Sequence, residues 1–218
     1  MLARKLIGAG GHGGGLGPAP TLTFRTSSAT AENNTTYSFT SLGIGTASAD
    51  RYVVAVCAAH AGTSGGLMSN FLINGSAASD VFNPGNTRTA AIIGGLVTSG
   101  TTCSIGFDCT SGLRAAVAIY TITGLASYSF RDTDSVTAPT SNTLAIDLLE
   151  DGVVITGADV SGNITFTLSG ATIDAQFAYA DENDTGAAGS YQGAAETGRV
   201  LTWGGGGSGG YGVAVSLR

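Results

Sequence analysis

The sequence is poor in charge. Asp, Glu, Lys and Arg make up only 11% of its 218 residues, whereas about a quarter is usual for globular proteins. Lys5 is the single lysine, and the formal net charge is −6. Binding to a nucleic acid backbone or to an anionic lipid surface depends on abundant basic side chains. We therefore expect neither nucleic acid nor a membrane among the partners, and the apolar runs are too short to span a bilayer.

Proline and cysteine are also scarce. The 4 prolines do not accompany the 35 glycines in a G-X-Y period, which excludes collagen. The three cysteines, Cys57, Cys103 and Cys109, are odd in number and do not form a closed disulfide framework. Cys103 and Cys109 could face each other across a hairpin, but we expect free thiols. Cys57 lies within an apolar run, which is typical of a buried thiol.

Long helix-forming residues are few, and the apolar residues are mostly Ala, Val and Ile among Thr and Ser, a mixture that suits strands joined by glycine turns. Asn74-Gly75 is the strongest hairpin signal. The apolar run 53–57 indicates a strand covered on both faces, and only residues 144–150 also fit a helix. About fifteen strand-like segments follow one another. They are 21–26, 35–41, 51–59, 67–73, 77–82, 88–97, 102–108, 113–122, 126–131, 143–149, 152–159, 163–168, 173–180, 198–203 and 211–217.

This pattern predicts an all-β protein. Short strands separated by turn signals are typical of an antiparallel β-sandwich, and we expect one of jelly-roll or lectin-like type. In residues 163–168, apolar Ile164, Phe166 and Leu168 alternate with threonines, as in a strand with one face in water. We predict a single sandwich domain over residues 21–218.

Residues 1–20 differ in composition from the rest of the chain. The glycine-rich stretch 8–15 disfavours both helix and strand, because glycine loses the most backbone entropy when it becomes ordered. Pro18 and Pro20 then favour an extended path. We predict an extended N-terminal arm, which stays disordered unless a neighbouring molecule holds it. The candidate assembly residues in this arm are Arg4, Lys5, Leu6 and Ile7.

Two segments match the residue spacing of functional motifs but lack the secondary structure that those motifs require. Residues 8–13 read G-x-G-x-x-G, but no buried strand precedes them and no helix follows, as dinucleotide binding requires. Residues 62–66 read G-x-S-x-G around Ser64, again without a following helix. The available bases are His12 in the arm and His60, which we expect to be a loop-edge residue. The four glutamates are scattered, so we predict no catalytic residue, no enzyme activity and no cofactor.

Residues 181–184 are the densest cluster of acidic side chains. They could bind Ca²⁺ in a loop, but they lack the spacing of an EF-hand, and we interpret them as a solvated turn. Asp132 and Asp134 form a weaker acidic pair. No His and Cys set has zinc spacing, and we predict no metal site.

Three aromatic residues suggest a sugar-binding rim. Trp203, Tyr191 and Tyr211 lie near the glycine-rich stretch 204–210 and are candidate glycan contacts. The alternative, which we favour, is that Trp203 fills the core at the end of a strand.

Several segments occur in an order that resembles one group of proteins. They are 41–56, with Ala49-Asp50-Arg51 before an apolar run, the hairpin at Asn74-Gly75, the segments 97–102 and 118–125, and the closing strand 212–217. Over about residues 37–217, this order resembles the virion structural proteins of tailed bacteriophages. The resemblance implies a role on the particle surface or tail, and it implies no catalytic residues.

These observations lead to one favoured function and two alternatives. We expect a non-enzymatic structural protein of the virion, assembled in the host cytoplasm, with other virion proteins and copies of itself as partners. A capsid-associated decoration or cement subunit that docks through the arm is favoured. The alternatives are a tail adaptor, tip or fibre component, and a carbohydrate-binding module that contacts host glycans.

Overall fold

The fold was examined in a computed structural model, which describes residues 18–61, 67–84, 88–110, 112–138, 140, 142–179, 184–206 and 208–218. In these residues seventeen β-strands and no helix are found, which confirms the predicted all-β antiparallel β-sandwich fold. The strands are β1 (Thr21–Thr30), β2 (Thr36–Gly43), β3 (Tyr52–Ala61), β4 (Met68–Ile73), β5 (Ser76–Ala77), β6 (Asp80–Phe82), β7 (Arg88–Leu96), β8 (Thr102–Cys109), β9 (Gly112–Thr123), β10 (Asp132–Thr137), β11 (Thr143–Leu148), β12 (Gly152–Ser161), β13 (Thr167–Ser169), β14 (Thr172–Ala178), β15 (Asp184–Gly193), β16 (Glu196–Gly204) and β17 (Ser208–Leu217).

The described strands form four sheets. Sheet I has the strand order β2-β8-β4-β5, and sheet II has the order β1-β9-β3-β7-β6. Sheet III has the order β10-β17-β12-β15-β14, and sheet IV has the order β11-β16-β13. The first two sheets come from the first half of the chain and the last two from the second half. Residues 124–131 join the halves.

Three hydrophobic cores show that the sheets stack in the order I, II, III, IV. The first core packs Tyr37 and Phe107 of sheet I against sheet II. The second core packs Val56 of sheet II against Val213 of sheet III, so it joins the two halves. The third core packs sheet III against Trp203 of sheet IV. The single sandwich expected from the sequence is thus elaborated into two sandwiches packed face to face.

The continuous apolar runs occupy the two inner sheets. In β3, Val53 and Ala55 face the first core, whereas Val54 and Val56 face the second, because successive side chains of a strand point to opposite faces. Strand β12 is likewise buried over nearly its whole length. The expectation that residues 53–57 are covered on both faces is confirmed.

The two halves share one strand order. In sheet II, β1 pairs with β9, β9 with β3 and β3 with β7; in sheet III, β10 pairs with β17, β17 with β12 and β12 with β15. In each half these are the first, last, third and third-to-last strands. In sheets I and IV, the second strand pairs with the second-to-last, which pairs with the fourth. Each half therefore turns its equivalent sheet toward the other half.

Most predicted strands are present, with local differences. Asn74 and Gly75 have φ of +52° and +75° and form the turn between β4 and β5, as their residue types predict for a type I′ hairpin. The segment 144–150, which also fitted a helix, lies mostly in β11. In the segment 163–168 only the end pairs, in β13, yet Phe166 is buried while Thr165 and Thr167 are exposed.

Two strands were not predicted. Strand β15 was missed because its sequence is mostly Gly, Ala and Ser, which carries no apolar alternation. The predicted strand 126–131 is wrong, because this segment contains bends and precedes the strand. The second strand that was not predicted is β10, which begins at Asp132 and pairs with β17. The segment 77–82 was predicted as one strand. It is divided between two short strands on different sheets, β5 on sheet I and β6 on sheet II.

Candidate functional site

Several predicted site residues lie outside the described residues. They are the assembly residues Arg4, Lys5, Leu6 and Ile7, together with His12, Ser64 and residues 181–183. The docking role of the arm therefore stays a prediction.

The structure does not place the candidate glycan contacts on one rim. Trp203 is only 1% exposed, meets Phe166 edge to face at 5.3 Å, and donates its indole N–H to Thr156 Oγ1 at 3.3 Å. Tyr191 packs beside the third core under the guanidinium of Arg199, which lies 3.3 Å from the ring centroid. A buried ring cannot stack on a sugar from solvent. The glycan-contact hypothesis is therefore wrong for Trp203, and the core-filling alternative holds.

Tyr211 is separated from Tyr191 along the sheet. Tyr191 pairs with Val154 of β12, whereas Tyr211 pairs with Asp159, five residues further along the same strand. At about 3.3 Å per residue, the two backbone positions are roughly 16 Å apart along the strand direction. They do not form a shared sugar platform.

The cysteines are free, as predicted, and all three are buried, whereas burial was predicted only for Cys57. Cys103 and Cys109 lie on the same strand, β8, so they do not face each other across a hairpin. Both thiols point into the first core with Cys57. Burial raises the pKa of Cys103 and of Cys109 to about 11, which keeps them protonated at neutral pH.

The densest group of buried charged side chains lies between the two halves. His60 and Arg114 come from sheet II, where they are cross-strand neighbours on β3 and β9. Asp159 and Asp184 come from sheet III, on β12 and β15. All four are buried, and His60 Nδ1 lies 3.1 Å from Asp184 Oδ2. We call these residues, with Tyr179, the interhalf cluster.

Tyr179 completes this cluster from the sheet III side. Its hydroxyl donates to Asp159 Oδ2 at 3.3 Å. Burial, and after it the charges of Asp159 and Asp184, raise the pKa of Tyr179 well above its ordinary value. The hydroxyl therefore stays protonated and remains a hydrogen-bond donor.

The interhalf cluster corrects the predictions made for Asp184 and His60. Asp184 was expected in a solvated turn; it is instead buried as the first residue of β15, where His60 faces it. His60 was expected at a loop edge and lies within β3. A histidine, two carboxylates and a tyrosine could transfer protons, but the sheets on both sides bury them. Their geometry favours holding the two halves in register. Only the tertiary fold brings these residues together.

A second buried polar site lies at the residues that carry the phage resemblance. Arg51 is 1% exposed and donates five hydrogen bonds to backbone carbonyls. Its Nε donates to Val97 at 2.9 Å; its Nη atoms donate to Gly45 and Thr46 at 2.9 and 2.8 Å and to Ser99 and Gly100 at 2.8 and 2.9 Å. The guanidinium thus ties the loop before β3 to the loop after β7. Burial, and after it the charge of Arg25, lowers the pKa of Arg51.

Asp50 performs a related task beside Arg51. Its carboxylate accepts a hydrogen bond from Ser48 and the backbone N–H of Gly124, the latter at 2.8 Å. These two contacts, the Ser48 bond first, lower the pKa of Asp50. The Asp50-Arg51 pair is therefore a loop anchor, and its chemistry gives no sign of substrate binding.

Asp132 and Asp134, a weak metal candidate in the sequence, close a seam between two sheets. Asp132 Oδ2 accepts the backbone N–H of Asp147, and Asp134 Oδ2 accepts that of Ala145, each at 2.7 Å. The acceptors lie on β10 of sheet III and the donors on β11 of sheet IV. The alternating carboxylates thus satisfy amides on the edge of β11, which is otherwise open to pairing with another chain.

Comparison with protein-family models, with curated proteins and with solved structures found no match. In the part of the chain that the structure describes, no group of three or more His, Cys, Asp or Glu side chains is arranged to hold a metal ion. The same residues include no helix long and apolar enough to cross a membrane.

Proposed function

We propose that the chain is a non-enzymatic structural subunit of a tailed-phage particle, and that it is a capsid-associated decoration or cement subunit. The observation that carries this proposal is how the described chain uses its buried charged residues. Arg51 anchors loops, and the interhalf cluster joins the halves. These are the properties of a rigid building block, and they support a role in assembly.

The strand order supports a finer assignment of each half as a jelly roll. In the first half, β1-β9-β3-β7 faces β2-β8-β4-β5, which is two interlocked Greek keys. The second half repeats this order, except that its fifth strand, β14, joins sheet III. Jelly rolls occur in viral capsid and lectin domains, so this support is an analogy of fold.

The outer faces of the stack supply the surface for lateral contacts. On sheet I, exposed positions include Ser38, Thr40 and Ser69, and on sheet IV they include Thr143 and Ser169. Such hydroxyl-bearing faces bear little net charge and suit close packing against copies of the chain or other virion proteins. We place the protein in the virion, assembled in the host cytoplasm, and assign attachment to the N-terminal arm.

The test substitutes Ser for Arg4, Lys5, Leu6 and Ile7 in the full-length protein. The variant is expected to keep its β-rich circular dichroism spectrum and its thermal midpoint, but to be absent from purified particles. A chain that lacks residues 1–17 should behave in the same way. The matched control is His12→Ala, which changes the arm outside the docking residues and should incorporate normally.

The position on the particle is tested separately by immunogold labelling of intact particles. Label spread over the head supports the decoration role, whereas label confined to the tail replaces it with a tail adaptor, tip or fibre role. Normal incorporation of the four-residue variant would overturn attachment through the arm. Absence of the wild-type protein from particles would overturn the virion role itself.

A further inference from the structure

The segment that joins the two halves presents three polar side chains to one side. Residues 127–131 read Ser-Tyr-Ser-Phe-Arg, and the chain bends at Tyr128, Ser129 and Arg131. Tyr128 stacks against Tyr52 at 5.7 Å between ring centroids, and Phe130 packs against the second core. Ser127, Ser129 and Arg131 instead line one cavity.

Backbone hydrogen bonds hold this segment in place. The N–H of Ser127 donates to the carbonyl oxygen of Arg218 at 3.0 Å, and the N–H of Arg131 donates to that of Ser216 at 2.8 Å. Both acceptors lie at the end of the second half of the chain, in or just after β17. The backbone of the segment is thus fixed beside β17 of sheet III.

These side chains line a cavity of about 220 Å³. Its lining consists of Ser127, Ser129, Arg131, Leu149 and Arg218. The two serine hydroxyls lie 3.0 Å apart. Two of the nine basic residues of an acidic protein therefore meet in one small cavity with two serine hydroxyls that are hydrogen-bonded to each other.

One carboxylate lies close to this cavity. Asp151 Oδ2 is 4.0 Å from Arg218 Nη2, while the Asp151 side chain is 47% exposed and that of Arg218 only 3% exposed. With one partner half-exposed and the two atoms 4.0 Å apart, this ion pair contributes little. The guanidinium of Arg218 is buried at the cavity wall, and the carboxylate of Asp151 lies toward solvent.

We propose that this cavity binds a tetrahedral oxyanion, a phosphate or sulfate group, either free or as an ester on a larger molecule. Two guanidinium groups offer planar pairs of N–H donors that match such oxygens, and the serine pair adds one further O–H donor, because its other O–H is used within the pair. A carboxylate has only two oxygens and would leave part of this donor set unused. The apolar wall at Leu149 gives room for the carbon side of an ester. The inference goes beyond the particle role and does not rest on it.

The test is a titration of the full-length protein, followed by NMR, with inorganic phosphate, sulfate, methyl phosphate and acetate in separate experiments at constant ionic strength. Saturable shifts of the amides of residues 127–131 are expected with the first three anions. Acetate should bind at least about tenfold more weakly. Methyl phosphate distinguishes the sources, because tighter binding than inorganic phosphate indicates an ester ligand.

Three variants decide whether the cavity is responsible. Arg131→Gln and the double variant Ser127→Ala, Ser129→Ala should each weaken phosphate binding about tenfold or more. Arg25→Gln removes the same charge from β1, which does not line the cavity, and should leave binding unchanged. Equal weakening by Arg25→Gln, equal binding of acetate, or the absence of saturable shifts would each overturn the proposal.

Discussion

Arg51 shows how one side chain organises two loops. A guanidinium that is buried without a carboxylate beside it is costly unless its N–H groups are satisfied, and here five backbone carbonyls accept them. In the sequence this residue stands at the start of an apolar run, within a segment of the phage resemblance, and nothing there indicates its hydrogen-bond partners. Its partners, 5 to 49 positions away, become neighbours only when β3 and β7 pair.

We predict that Arg51→Lys destabilises the protein almost as much as Arg51→Ala. Lysine keeps the charge but has three donors in place of the planar fork, so it leaves carbonyls unsatisfied. Each variant should lower the free energy of unfolding by about 3 kcal/mol, measured by urea denaturation. Arg25→Ala removes an exposed arginine with one side-chain hydrogen bond to Thr121 and should cost about 1 kcal/mol or less. A tolerated Arg51→Lys would contradict this interpretation.

The buried thiols give the protein a predictable response to alkaline pH. The pKa of Cys103 and of Cys109 is about 11 in the folded protein, against about 8.5 in an unfolded chain. Because the folded pKa is raised, the stabilisation is complete below about pH 8.5 and is lost as the pH rises toward 11. The urea concentration at the midpoint of unfolding should therefore decrease as the pH is raised from about 8.5 to about 11.

Thiol labelling checks the same property directly. With Ellman's reagent at pH 8, the native protein should react slowly, and all three cysteines should react at once in denaturant, because the thiolate is the nucleophile. The double variant Cys103→Ala, Cys109→Ala should reduce the decline between pH 8.5 and 9.5, where the tyrosines still contribute little. The part that remains comes from Cys57, whose pKa is also raised by burial. Rapid labelling of the native protein would show that these thiols are accessible.

At the scale of the strands, the aspartates of β10 accept hydrogen bonds from the backbone of β11 in the neighbouring sheet. An edge strand such as β11 leaves backbone amides open to unwanted pairing, and carboxylates from the neighbouring sheet accept two of them. Among the described residues the seam is found in the second half alone; the equivalent strand β1 reads TLTFRTSSAT and carries no carboxylate.

We predict that Asp134→Ala lowers the free energy of unfolding by about 1–3 kcal/mol, because the Ala145 amide loses its acceptor. Asp134→Asn keeps a carbonyl oxygen at the same place and should cost less. Hydrogen exchange checks the location, since the amide of Ala145 should exchange faster in the Ala variant. Ser135→Ala, at an exposed position of the same strand, is the control. An unchanged exchange rate at Ala145 would refute the role given to the seam.

The strands differ in how well the sequence predicts them, and the reason is what each one packs against. Strand β3 is predicted by its apolar run because both of its faces are filled by its own side chains. Strand β15 is buried too, but at Gly186 and Gly189 a side chain would collide with Phe177 and Thr172. Here close packing requires the absence of side chains, so the strand carries no apolar pattern. The interhalf cluster is equally hidden, because His60 and Asp184 lie on different halves of the chain.

At the scale of the whole molecule, the second core and the interhalf cluster make the two sandwiches one body. The His60–Asp184 pair crosses between sheets II and III with both side chains buried. Removing one partner of a buried pair leaves an uncompensated polar group and typically costs about 3–5 kcal/mol.

We predict that His60→Gln and Asp184→Asn each lower the free energy of unfolding by about 3 kcal/mol. The double variant should cost clearly less than the sum, with a coupling of about 1 kcal/mol or more in a double-mutant cycle followed by urea denaturation. Glu196→Gln breaks the exposed pair with Arg199 and should change stability by about 1 kcal/mol at most. Additive effects of the two buried substitutions would mean that the pair does not couple the halves.

The face-to-face packing of two sandwiches with one strand order has a consequence for how charge is distributed. In a dimer of identical subunits, every residue at the interface occurs on both sides, so a cation placed there also recurs opposite. A single chain escapes this rule. In this chain His60 and Arg114 belong to the first half alone, and Asp159 and Asp184 belong to the second. The covalent link thus allows a division of labour between donor and acceptor that a symmetric pair of subunits could not adopt.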